Sequence, residues 1–93
     1  MKIVRTQSFQ REKIDDVELL IPFQGNVIDS DHCVLLEGIA PEIWDLIEEH
    51  DDVETVINIL LNRYIVSRDE LTADCISVLK VLEEANLVKI FEE

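Results

Sequence analysis

The hydrophobic period of this 93-residue chain changes once, near Gly38, and that change limits the possible folds more than any other feature. Before it, apolar residues come in runs too short for a helix and separated by turn-forming residues; after it, they recur every three or four positions. Residues 8–22, SFQREKIDDVELLIP, read as two extended runs meeting at Asp15-Asp16. Asp tolerates turn conformations, so the pair predicts a hairpin. Pro22 is expected to end the second run. The connection that follows mixes Gly25, Asn26, Asp29, Ser30 and Asp31, with a short strand at Val27-Ile28. A third run, Cys33-Val34-Leu35-Leu36, is stopped by Gly38 and reads as a strand feeding into a helix.

Beyond Gly38 the period is helical. Ile39, Ile43, Leu46, Ile47 and His50 share one side, with Glu42, Asp45 and Glu49 opposite. Pro41 suits the first turn, where a backbone N–H is not needed. Asp51-Asp52 interrupts and supplies an N-cap for a second helix, whose apolar face is Val53, Val56, Ile57, Leu60, Leu61 and Tyr64. Ser67-Arg68-Asp69-Glu70 has the form of a capping box and opens a third helix. That helix runs to about Ala85 with Leu71, Cys75, Val78, Leu79 and Leu82 on its core face, and Asn86 serves as a left-handed stop. Its apolar arc is wider than packing on two helices requires, because Ile76 and Val81 flank the core face on opposite sides. A further apolar run at residues 87–91 is free either to pair or to pack.

Strands segregated from helices predict an α+β fold: a three-stranded antiparallel sheet followed by three helices. The length predicts one domain over residues 1–93, with residues 1–7 open to flexibility, since domains commonly run about 100 to 150 residues. Apolar residues make up 47% of the chain, which excludes a disordered chain. The net charge of −13 argues against binding a polyanion. It is unevenly placed, with a surplus of three positive charges over residues 1–14 and −16 over the remainder. Neither a secretory run nor the ~20 apolar residues of a membrane span is found, which predicts a cytoplasmic protein with no membrane partner.

The chemistry of catalysis is missing from the sequence. There is no CxxC, no HExxH and no glycine-rich phosphate loop, so no catalytic residue, metal ligand or cofactor is assigned. The two cysteines, Cys33 and Cys75, are each flanked by apolar residues and read as buried, reduced thiols.

Between Val17 and Val88 the chain resembles the PqqD family, the recognition domain of pathways that modify ribosomally made peptides. The matching pieces are the strand Val17 to Pro22, Leu35-Leu36 ahead of a helix carrying Ile43-Trp44-Asp45-Leu46, and Asp52 to Ile57 with Leu60 and Tyr64. They continue through Ser67 to Glu70, then Leu79 to Leu82 and Ala85-Asn86-Leu87. The chain departs from the family pattern after Leu36, where Glu37-Gly38-Ile39-Ala40-Pro41 replaces a Leu-Asn pair and a small polar residue. The resemblance implies a winged helix-turn-helix-like fold and a non-catalytic peptide chaperone. It would capture the leader segment of a precursor peptide as an added strand beside the third strand and against the third helix. It would then present that peptide to a modifying enzyme such as a radical SAM protein.

An edge strand exposes backbone groups that an extended peptide can satisfy, which agrees with that role. The expected peptide-binding residues are Cys33, Val34, Leu35 and Leu36 on the strand and Ile76, Leu79, Lys80 and Glu83 on the third helix. Trp44 falls within the apolar stripe of the first helix and is expected in the core. Two other readings fit the same elements. One is a winged-helix transcription factor, whose third helix would be a poor partner for phosphates given Asp69, Glu70, Asp74, Glu83 and Glu84. The other is a self-associating domain paired through the same edge strand.

Overall fold

The structure is a computed structural model and describes residues 1–5, 9–24, 27–28 and 33–92. Its elements are β1 (Lys2–Arg5), β2 (Phe9–Ile14), β3 (Val17–Gln24), β4 (Val27–Ile28), β5 (Val34–Leu36), α1 (Ala40–Glu49), α2 (Val53–Leu61), α3 (Arg68–Glu84) and β6 (Val88–Phe91). This is the expected α+β order of an antiparallel sheet followed by three helices, with β1 and β6 added at the ends.

The β2–β3 hairpin turns on Asp15-Asp16, with Asp15 at φ 55°. Such two-residue turns match the right-handed twist of the strands they join. Strands β4 and β5 both pair antiparallel with β3, β4 at Phe23 and Gln24 and β5 at residues 18–20. Contrary to the sequence expectation, β3 does not end at Pro22. Pro22 lies opposite Phe9 in the register with β2, and neither β4 nor β5 pairs with it. A proline lacking its N–H is tolerated where no ladder bond is required of it.

The start of the chain also forms a strand. Strand β1 pairs antiparallel with β6, Ile3 opposite Ile90, which resolves the choice left open for residues 87–91 in favour of pairing. Its other side is tied down by Ile3 N–H donating to the Asp51 carbonyl at 2.8 Å. Residues 6–7 of the expected flexible start and residue 8 of the expected hairpin lie outside the described residues, as do residues 25–26 and 29–32 of the connection.

The core is built where the sequence places it. Trp44 is fully buried, together with Leu20, Leu36, Ile43, Ile57, Leu60, Leu71, Leu79, Leu82 and Leu87. Phe9 meets the Trp44 ring edge-on at 5.0 Å, and the Arg5 guanidinium stacks 3.8 Å from the indole while donating to the Trp44 carbonyl at 2.7 Å. Arg11 bridges the buried Glu18 of β3 and Asp45 of α1, the latter at 2.7 Å. Arg5 and Arg11 of the basic start thus dock their strands onto α1.

Helix ends follow the capping residues. Asp52 accepts from Thr55 N–H at 3.3 Å, and Ser67 Oγ accepts from Glu70 N–H at 3.1 Å. At the far end of α3, Asn86 takes φ 60°, Leu87 N–H donates to Leu82 and Asn86 N–H to Glu83. That bond pattern is a Schellman stop. Tyr64, expected on the apolar face of α2, instead lies beyond its last turn and is 43% exposed. Its hydroxyl donates to Glu42, which also accepts from Arg63. Burial alone would raise the Glu42 pKa, but these hydrogen bonds outweigh it and hold the carboxyl below its ordinary value.

Candidate functional site: a groove between an edge strand and a helix

Strand β5 occupies one flank of β3 while β2 covers the other, so the outer side of β5 is a sheet edge. The register fixes which of its backbone groups face outward. A two-residue turn is closed by a hydrogen bond between the residues flanking it, which makes Ile14 and Val17 a hydrogen-bonded pair. Hydrogen-bonded and non-hydrogen-bonded pairs alternate along an antiparallel ladder. Glu18 and Leu20 therefore direct their N–H and C=O away from β2 and toward their partners on β5, Leu36 and Val34. The N–H and C=O of Leu35 point the other way, out of the sheet edge. No strand pairs with that edge among the described residues.

Side chains obey the complementary alternation. Val34 and Leu36 are buried, whereas Leu35 is 58% exposed. Beside this edge lies a groove of about 200 Å³ lined by Val34, Leu35, Leu36, Ala40, Ser77, Val78 and Val81. Ser77 is the only polar residue in the lining among the described residues. Val81 is 50% exposed, and Val78 is half-buried against the core, so α3 offers the groove an apolar wall that extends beyond what the core covers.

The helix residues expected from sequence do not line this groove. Ile76, Leu79, Lys80 and Glu83 line a second hollow of about 420 Å³, together with Met1, Ile90 and Glu92. The reason is helical geometry. At 3.6 residues per turn, Ser77, Val78 and Val81 fall to one side of the buried row Leu71, Cys75, Leu79, Leu82, and Ile76, Lys80 and Glu83 fall to the other. Glu83 is further engaged by β6, accepting from Ile90 N–H at 3.2 Å. The structure therefore brings Val34, Leu35 and Leu36 together with Ser77, Val78 and Val81, and separates them from the other four. Of the two residues that flank the core face of α3, Val81 is the one that lies beside the strand.

The two cysteines differ in their surroundings. Cys75 is buried, and burial, with Asp74 adding, pushes its thiol up to about 11. Cys33 is exposed, against the expectation of a buried thiol, because it precedes β5 and lies outside the ladder with β3. Among the described residues no group of three or more His, Cys, Asp or Glu side chains could hold a metal ion, and no helix is long and apolar enough to cross a membrane.

Comparison with known proteins adds two findings. The sequence pattern of the family described as coenzyme PQQ synthesis protein D (PqqD) matches residues 27–88, a span that includes β4, β5 and all three helices. The fold is similar to that of a solved structure, TbiB1 in complex with the TbiA(beta) leader peptide. The TM-score is 0.74 at 22% identity, and the match covers 100% of both chains. No curated protein is matched by sequence.

Proposed function

The chain belongs to the coenzyme PQQ synthesis protein D (PqqD) family, and from that membership we propose that it is a single-domain, non-catalytic carrier of a leader peptide. The leader of a ribosomally made precursor adds as a strand to the outer edge of β5, rests its side chains in the groove against α3, and is presented to a separate modifying enzyme, a radical SAM protein being one candidate. The observation that carries this reading is the outward-facing backbone of Leu35 beside an apolar groove. That TbiB1, which shares the fold, was solved with a leader peptide supports it.

The energetics require both parts of the site. Two backbone bonds to Leu35 contribute about 1 to 3 kcal/mol net, whereas a micromolar complex needs about 8 kcal/mol. Two or three apolar side chains buried in the groove, at about 1.5 to 3 kcal/mol each, supply the difference before ordering costs.

The rival readings fare worse. A groove-inserting α3 would present exposed Asp69, Glu70, Asp74, Glu83 and Glu84 to phosphates, while its Arg68 is engaged by Glu54 and Asn58. Pairing of two β5 edges would bring together two copies each carrying −13. The test is anisotropy of a labelled candidate leader peptide, titrated with the protein and with Val81→Asp. Binding that is lost on placing a charge in the groove supports the reading; unchanged binding refutes it.

A further inference from the structure

The helix wall of the groove changes character along its length. Glu70, Asp74, Val78 and Val81 follow one another at spacings of four, four and three, so they form one stripe on α3, acidic toward the N-terminus and apolar toward the C-terminus. On the strand wall, Glu37 follows β5 directly and is exposed. None of Glu37, Glu70 and Asp74 joins an ion pair among the described residues. By contrast Glu18, Glu42, Asp45, Asp52 and Glu54 each sit against a cation. Lys80, the lysine of α3, lies on the side facing the second hollow. An apolar groove with unpaired carboxylates at its margin and no cation on its helix stripe complements a peptide of a particular kind.

Resting on the strand-capture reading, we infer that this groove selects leaders in which an apolar anchor is accompanied by a Lys or Arg two to four residues away. The spacing follows from dimensions. Asp74 lies four residues from Val78 and seven from Val81, roughly 6 to 10 Å along the helix at about 1.5 Å per residue. An extended peptide covers that distance in about two to three residues at about 3.3 Å each, and Glu70, roughly 12 Å from Val78 along the helix, extends the reach to about four. The basic residue contributes selectivity and the apolar anchor most of the affinity, since a partly solvated ion pair changes binding only about two- to fivefold.

A set of labelled ten-residue peptides tests this by anisotropy with the full chain. Each has a Thr/Val background, a central Leu or Phe, and Lys, Gln or Glu placed two, three or four positions to either side. The Lys peptides are expected to bind about two- to fivefold more tightly than the Gln peptides and the Glu peptides more weakly, the gap closing as salt shortens the screening length. The gap should vanish in the double variant Asp74→Asn with Glu37→Gln and persist in Glu12→Gln with Glu49→Gln, which has the same net charge but alters remote carboxylates. Equal affinity for Lys and Glu peptides, or a gap that survives Asp74→Asn with Glu37→Gln, overturns the inference while leaving strand capture standing. If no peptide of any charge binds, strand capture falls and the inference with it.

Discussion

Replacing Leu35 by proline isolates the backbone contact on which the proposed mechanism depends. Proline removes one N–H, and the strand register places the Leu35 N–H on the outer edge of β5, outside the ladder with β3. Its side chain is already 58% exposed, so the fold should lose little, within about 1 kcal/mol of wild type. Peptide binding should lose at least one hydrogen bond, about 0.5 to 1.5 kcal/mol, or roughly two- to thirteenfold in affinity. Leu35→Ala is the control, since it removes the side chain and keeps the N–H. At Val34 the same substitution has the opposite outcome. The Val34 N–H faces Leu20 and its side chain is 5% exposed, so Val34→Pro should destabilise the fold by about 3 kcal/mol or more. Urea midpoints report stability, and anisotropy of a labelled leader reports binding. Equal binding by Leu35→Pro and Leu35→Ala would show that the backbone of β5 is not used. A stable Val34→Pro that no longer binds would show that the outward-facing position is off by one residue.

Three further outcomes follow from the core and its charges. Trp44→Ala should cost about 3 to 5 kcal/mol, because the indole is fully buried and anchors both Phe9 and Arg5; a denaturant midpoint close to wild type would contradict this. Thiol reagent at pH 8 should modify Cys33 of the native protein quickly and Cys75 only after unfolding, since burial lifts the Cys75 thiol to about 11; two fast thiols in the native state would refute the placement. The folded pKa of Glu42 is depressed, so its contribution is complete above the ordinary carboxyl range of about 4.3 and is lost as pH falls through the folded value. Glu42→Gln should therefore lower stability at pH 7 and flatten the acid side of the stability profile, and an unaltered profile would show that the Tyr64 and Arg63 bonds contribute nothing.

Local signals in the sequence were sufficient wherever one residue type determines the backbone. Asp15-Asp16, Asp52, Ser67 and Asn86 each sit at the turn, cap or stop that their chemistry suggests. The helical stripes likewise identify Trp44, Ile57, Leu71 and Leu82 as core. What escaped was set by partners distant in the chain. Lys2–Arg5 has no strand-like alternation of its own and becomes a strand because β6, more than 80 residues on, and Asp51 satisfy its backbone. Tyr64 fits the apolar period of α2, but the helix stops at Leu61 and the ring turns out to Glu42. In the groove, the strand wall was legible as a short apolar run, whereas the matching helix wall depended on which side of α3 faces β5. Ile76 and Val81 are equivalent by period, and tertiary packing alone assigns Val81 to the groove.

Strand capture along β5 is tested most directly by an NMR titration of the ¹⁵N-labelled protein with the cognate leader. Strand capture should shift residues 33–37 and Ser77, Val78 and Val81, slow Leu35 amide exchange on binding, and leave Lys80, Glu83 and Ile90 around the second hollow little changed. Shifts centred on Ile76, Lys80, Glu83 and Ile90, with the Leu35 amide unprotected, would contradict it and place the peptide on the other side of α3.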